Sequence, residues 1–246
     1  NFGSIENVAK EKSELFSSLS KKDIAFVNLD DKYITTFSTQ AKRITIGFNS
    51  EADFNGKFEN GTLRINGVEI SLPYPTEMMA KNVLAIYSIV NTIGISHSEI
   101  ESSINNFKTP SGRNNIIFHN GITIIDDTYN SNLESAKAGI YTLSQYVGNQ
   151  KIAIIGDMFE LGELAKDQHR KLGEYISNLN IDILLATGSL TKITVNSAQN
   201  IDATYFQHKE DLVNRLKQIT YSGNVVYVKG SRGMKMESII NQGLLI

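Results

Sequence analysis

Two adjacent carboxylates, Asp126 and Asp127, close an apolar run in GITIIDDTYNSNLESA, which starts at Gly121. Side by side at the mouth of a strand, like charges repel unless a cation, a donor-rich ligand or solvent takes them up. The residues that follow open a helix, where Ser131 and Glu134 fit the S-x-x-E capping box. Strand, acidic turn and helix N-terminus in succession are where open α/β sheets place ligands. A solvated loop with an N-cap accounts for the same residues, and this stretch alone leaves both readings open.

The second half of the chain repeats the arrangement. Apolar runs GITIIDD, KIAIIGD, IDILLATG and NVVYVKGS alternate with amphipathic stretches, one carrying Leu133, Ala136, Ile140, Leu143 and Val147 on a stripe. Two more stripes hold Leu172, Ile176 and Leu179, and then Leu212, Leu216 and Ile219. Short apolar strands alternating with helices predict an α/β domain, a mainly parallel, doubly wound, Rossmann-like sheet covered on both faces. The polar residues Asp126-Asp127, Gly156-Asp157, Thr187-Gly188 and Lys229-Gly230-Ser231 then fall at the strands' carboxyl ends, the candidate ligand face.

The first half reads differently, as a partial mixed α/β domain. SIENVAKEKSELFSSL is helical in pattern, with Ser4 as its N-cap and Val8, Leu15 and Phe16 among its apolar positions. DIAFVNLDD and RITIGF read as short strands. Leu63 and Ile65 alternate before Asn66-Gly67, and Val68, Ile70 and Leu72 after it, which predicts a two-residue hairpin. Helices follow over 76–93 and 96–107, with Ile100, Ile104 and Phe107 on one face of the second. Proline and glycine in KTPSGR, which starts at Lys108, mark the boundary, giving expected domains of 1–109 and 110–246.

Composition narrows the function. A formal charge of −2 gives no electrostatic argument for nucleic acid or an anionic membrane. No cysteine is present, which excludes disulfides and thiolate metal sites. The longest apolar stretch, NVLAIYSIV from Asn82, is too short to span a bilayer. Of His97, His119, His169 and His208, none has a second histidine at i+3 or i+4. His169 shares a stripe with Leu172 and Ile176, which predicts a partly buried structural role. The chain starts at Asn1 rather than methionine and reads as a piece of a longer protein.

Four stretches, PSGR from Pro110, IIDDTYNSN from Ile124, IIGDMFELGE from Ile154 and VKGSRGMKME from Val228, together resemble the C-terminal domain of the Mur ligases. FGSIENVAKEKSELF and NLDD resemble the second half of that family's central ATP-binding domain, so the resemblance covers essentially the whole chain. Within the family the motifs look most like those of the ligase that adds D-alanyl-D-alanine to UDP-N-acetylmuramoyl-tripeptide. The D-N-P-R signature of the diamino-acid ligases is missing. The resemblance implies an ATP- and Mg²⁺-dependent amide ligase that makes peptidoglycan precursors, cytoplasmic and monomeric.

It also implies residue roles. Lys12 matches a lysine that is carbamylated and becomes an anionic oxygen ligand for Mg²⁺; a solvated helix lysine is the alternative. Asn82 matches an asparagine that contacts the nucleotide, although Met78 and Met79 replace part of its motif. Arg113 resembles the arginine that reaches the ATP phosphates, Asp127 the acceptor of ribose hydroxyls, and Tyr129 a neighbour of the adenine. Lys229, Ser231 and Arg232 are implied at the incoming dipeptide, with Asp157 and Glu160 at either the substrate or a packing contact. No G-x-x-x-x-G-K-[ST] loop occurs in the sequence. In the family that loop precedes the segment where this chain starts, so the chain is expected to hold about half of a nucleotide site and to be inactive alone. A non-catalytic binding module derived from a ligase, or a ligase of the folylpolyglutamate type, are the alternatives.

Overall fold

The computed structural model describes residues 4–48, 51–72, 76–107 and 109–245, so Asn1 and Lys108 lie outside it. These residues gather into two compact units, the second beginning at Thr109.

In the first unit, helix α1 (Ile5–Ser18) is capped by Ser4, whose hydroxyl accepts from the Asn7 amide at 3.2 Å. None of its residues is buried. Strands β1 (Ile24–Asn28), β2 (Lys42–Gly47) and β3 (Phe54–Glu59) are parallel neighbours, and β4 (Thr62–Ile65) and β5 (Val68–Ile70) extend the sheet antiparallel. Asn66 and Gly67 have φ of 49° and 85°, the left-handed pair that a type I′ hairpin turn requires. Helices α2 (Glu77–Thr92) and α3 (His97–Asn105) pack Ala80, Val83, Leu84 and Ile100 against Leu63, Ile65 and Ile70. Phe107 falls beyond the end of α3 and is exposed rather than on its buried face.

The second unit opens with an antiparallel pair, β6 (Asn115–His119) and β7 (Ile122–Asp127), and then alternates. The order is α4 (Leu133–Gln145), β8 (Lys151–Gly156), α5 (Ala165–Ile176), β9 (Ile183–Thr187), α6 (Thr191–Ser197), β10 (Asp202–Phe206), α7 (Lys209–Ile219), β11 (Val225–Lys229) and α8 (Glu237–Gly243). The sheet runs β10-β9-β8-β11-β7-β6, parallel except at the β6 edge. The central strands are apolar on both sides, which is why they read as continuous runs. Ile152, Ile154, Val226 and Val228 face α7 and α8, whereas Ala153, Ile155, Val225 and Tyr227 face α4 and α5. The chain therefore leaves β7 and the adjacent β11 toward opposite faces. That opens a crevice at their carboxyl ends, the place where such sheets accept ligands.

Two local expectations need correction. The cap of α4 is Asn132, not Ser131: Asn132 Oδ1 accepts from the Ser135 amide at 2.8 Å, and Ser135 Oγ from the Asn132 amide at 3.2 Å. Asparagine caps as well as serine does, so the box slides one residue along. Val147 lies past the helix end and is 99% exposed, so the buried stripe stops at Leu143.

Gly139 in α4 lies over Tyr227: a Cβ there would stand 1.9 Å from the tyrosine oxygen. Gly139→Ala should therefore lower stability by about 1–3 kcal/mol through overpacking, measured by urea unfolding of the chain. An unchanged midpoint would mean that Tyr227 can move aside freely.

Candidate ligand-binding site

Asp126 and Asp127 do not confront each other, because successive strand residues point to opposite faces. Asp126 is buried and holds the segment before β6. Its Oδ2 accepts from the Gly112 amide at 3.0 Å, and its Oδ1 from the Thr128 hydroxyl at 2.6 Å. The Gly112 carbonyl in turn accepts from the Tyr129 amide at 2.8 Å. Gly112 has φ of 80°, and a Cβ there would crowd the Tyr129 nitrogen at 3.0 Å, so the close approach requires glycine. PSGR and IIDDTYNS are thus one structural unit. The Arg113 guanidinium consequently lies over the Tyr129 ring, 4.0 Å from its centroid.

Asp127 points the other way. Its Oδ2 accepts from Lys229 Nζ at 2.5 Å and from the Tyr227 hydroxyl at 2.9 Å, and Lys229 also donates to the Asn130 carbonyl at 2.9 Å. Lys229 and Asp127 are register partners on adjacent parallel strands, and the lysine side chain is 2% exposed. Burial, reinforced by the neighbouring Asp127 carboxylate, raises the Tyr227 pKa well above its ordinary value, so the phenol remains a donor. Asp127 Oδ1 takes no hydrogen bond from the described residues.

A cavity of about 320 Å³ opens here, lined by Arg113, Asp127, Tyr129, Asn130, Ser131, Asn132, Ser135 and Lys229. It offers a half-exposed aromatic ring, a free carboxylate oxygen and a guanidinium, which suit a planar ring, hydroxyl groups and an anion respectively. Ser131 Oγ is buried there without a hydrogen-bond partner among the described residues. A second cavity of about 180 Å³ shares Tyr129 and Asn130 and is completed by Phe159, Glu160, Ser231, Arg232 and Gly233.

The structure gives Asp157 a different task from the expected substrate contact. The residue is 2% exposed and lines neither cavity. Its Oδ2 accepts from the amide and hydroxyl of Ser189, and its Oδ1 from the amides of Leu190 and Thr191 at 2.9 and 3.0 Å. It therefore satisfies the free N–H groups at the start of α6 from the loop that follows β8. Ser231 lines the smaller cavity while its Oγ accepts from the Phe159 amide at 2.7 Å. Arg232 is largely exposed and pairs with Glu237 at 3.3 Å. Lys209, which the sequence did not single out, donates to the Met234 and Lys235 carbonyls and tethers the turn behind Arg232.

Lys12 and Asn82 belong to the other unit, exposed on α1 and α2. Among the described residues no group of three or more His, Asp or Glu is placed to hold a metal ion. No helix among them is long and apolar enough to cross a membrane.

Comparison with known proteins decides the family. The profile described as "Mur ligase, glutamate ligase domain" matches residues 112–232, and "Mur ligase middle domain" matches 1–109. The chain belongs to the Mur ligases. Among the relatives of this Mur ligase chain, the UDP-N-acetylmuramoyl-tripeptide–D-alanyl-D-alanine ligase of Haemophilus influenzae is 28% identical over 97% of the chain and 55% of its own length. The crystal structure of MurF from Acinetobacter baumannii shares the fold at TM-score 0.85 and 23% identity, over 98% of this chain and 55% of that one. MurF ligase from Thermotoga maritima in complex with ADP gives TM-score 0.81 at 23% identity, over 98% and 57%. The chain spans about half the length of the relatives it matches.

Lys229→Met should leave the Asp127 charge buried without its cation and cost about 3–5 kcal/mol of stability in the second unit. Adding Asp127→Asn should recover much of that loss, which urea unfolding of the two single variants and the double variant would reveal as strong coupling. Additive losses would show that the two side chains are not paired.

Proposed function

We propose that this chain is the nucleotide- and acceptor-handling part of an ATP-dependent ligase that joins D-alanyl-D-alanine to UDP-N-acetylmuramoyl-tripeptide. The observation that carries the reading is the larger cavity, where Asp127 Oδ1, the Tyr129 ring and the Arg113 guanidinium converge. The names of the relatives and the ADP held by a structural neighbour support it. In this reading Asp127 Oδ1 accepts from the ribose hydroxyls, Tyr129 lies beside the adenine, and Arg113 leaves its place over the ring to grip phosphate. Lys229 holds Asp127 in position and, with Ser231 and Arg232, borders the site of the incoming dipeptide. Asn82 contributes a nucleotide contact and Lys12, as its carbamate, one oxygen toward Mg²⁺. The described residues do not by themselves assemble a Mg²⁺ site.

The reaction has two steps. The terminal carboxylate of the UDP-linked peptide attacks the γ-phosphorus of ATP, giving an acyl phosphate and ADP. The dipeptide amine then attacks the acyl carbon, and the tetrahedral intermediate collapses to the amide, releasing phosphate and a proton. Arg113 offsets charge on the transferring phosphoryl group. Both phosphorylated species are polar and the co-substrates charged, which fits a cytoplasmic enzyme, and we propose that it acts as a monomer.

Four measurements test this. The 246-residue chain alone should release no phosphate from ATP above background, because its sequence lacks the phosphate loop. In the full-length ligase, Arg113→Ala should lower kcat/KM for ATP by roughly 10- to 150-fold, the range for a lost charged contact. Lys12→Ala should abolish most synthesis, with partial rescue by a short carboxylic acid. ADP formation that depends on another amino acid instead of D-alanyl-D-alanine would overturn the assignment of substrate.

A further inference from the structure

His169 is 0% exposed, in α5, beneath the loop that leaves β8. Its Nε2 lies 3.2 Å from the Met158 amide nitrogen and its Nδ1 2.9 Å from Thr194 Oγ1 in α6. A backbone N–H can only donate, so Nε2 carries no proton. Nδ1 then holds the hydrogen and gives it to Thr194. The neutral ring is therefore fixed in one tautomer by contacts on both sides.

The consequences run outward from this ring. Met158 begins the loop whose next residue, Phe159, donates its amide to Ser231 Oγ at 2.7 Å, while the Ser231 amide donates to the Asp157 carbonyl at 2.9 Å. Gly233 lies under the Phe159 ring, where a Cβ would stand 2.9 Å from Cε2. Phe159, Ser231 and Gly233 are walls of the smaller cavity. His169 touches neither cavity, yet the Met158 bond sets where one wall of the smaller one stands.

We infer that His169, as the neutral Nδ1–H tautomer, is the positioning residue that fixes the loop Asp157–Glu160 as a wall of the smaller cavity and so sets the affinity of that cavity for the amine substrate. The last clause rests on the proposed function; the tether itself does not. Protonation would put an N–H on Nε2 facing the Met158 N–H and eject the loop. Burial lowers the His169 pKa, against the opposing effect of the nearby Asp157 carboxylate. The groups that meet the ring are the Met158 amide, Asp157 and the neutral Thr194 hydroxyl, so Asp157 is the charge it feels. With the folded value below the unfolded one of about 6.5, the stabilisation is complete above that pH and is lost as pH falls through the folded value.

Nitrogen-detected NMR of the chain at pH 7 should show protonated Nδ1 and unprotonated Nε2. His169→Ala should accelerate amide exchange of Phe159 and Ser231 by on the order of tenfold, and His169→Gln, whose Oε1 can accept from Met158, should restore slow exchange. Thr194→Val, which keeps the packing, covers the case in which the alanine variant fails to fold; it should also speed exchange at Phe159. The loss of melting temperature between pH 7 and pH 5 should be smaller in His169→Gln than in the parent chain. In the full-length ligase, His169→Ala should raise KM for D-alanyl-D-alanine by on the order of tenfold with little change in KM for ATP. Protonated Nε2, or exchange unaltered in every variant, overturns the tether. Altered exchange with an unchanged dipeptide KM overturns only the link between this cavity and the amine substrate.

Discussion

The ion pair between Lys229 and Asp127 is the constraint around which the second unit is arranged. Two charges taken out of water are tolerable only when geometry is good and the remaining donors and acceptors are met. The parallel register of β7 and β11 puts the two residues side by side at the strand ends. Tyr227, two residues back on the same face, adds a donor to the carboxylate, and the Asn130 carbonyl takes a second proton of the ammonium. Gly139 is the small residue that lets α4 pass above Tyr227. Strand, helix and loop are thereby set by one buried pair, and the carboxylate keeps one oxygen without a partner among the described residues.

Three carboxylates stand at the carboxyl ends of strands in this unit, and they divide the work between holding loops and lining a cavity. Asp126 spends both oxygens on the segment from Gly112 to Thr128, and Asp157 spends both on the start of α6. Only Asp127 Oδ1, among the oxygens of these three, is left without a partner among the described residues. Loops held by buried, hydrogen-bonded acids do not need to be ordered at the moment of binding, which lowers the entropic cost of capture.

How much of this was legible in the sequence depends on whether the cause was local. The alternation of apolar strands and amphipathic helices is local and gave the doubly wound sheet directly. The hairpin at Asn66-Gly67 was readable from its turn dipeptide, yet the same dipeptide at Asn60-Gly61 and Asn120-Gly121 also turns hairpins, with φ of 52° and 79°, and 48° and 75°. Those two pairs were the signals for β3 and β6, whose own residues alternate weakly. Helix α6, TKITVNS, is rich in β-branched residues and has no local cap; it starts where it does because Asp157 caps it across 34 residues of sequence. The same distance hides the role of Asp157 itself, which looks like a ligand-facing acid until its four donors are located. His169 shows the reverse: a helical stripe disclosed that it is buried, but not which nitrogen carries the proton.

The two cavities are not independent, because Tyr129 and Asn130 belong to both. The Asn130 carbonyl accepts from Lys229, and the Asn130 side-chain Oδ1 accepts from the Ser131 amide at 2.8 Å, so backbone and side chain are each held by one bond. Tyr129 is anchored through its amide to Gly112, is half-exposed as a residue, and has its ring under the Arg113 guanidinium. The wall common to both cavities is thus hydrogen-bonded at Asn130 and stacked at Tyr129, so a substitution at either residue reaches both cavities.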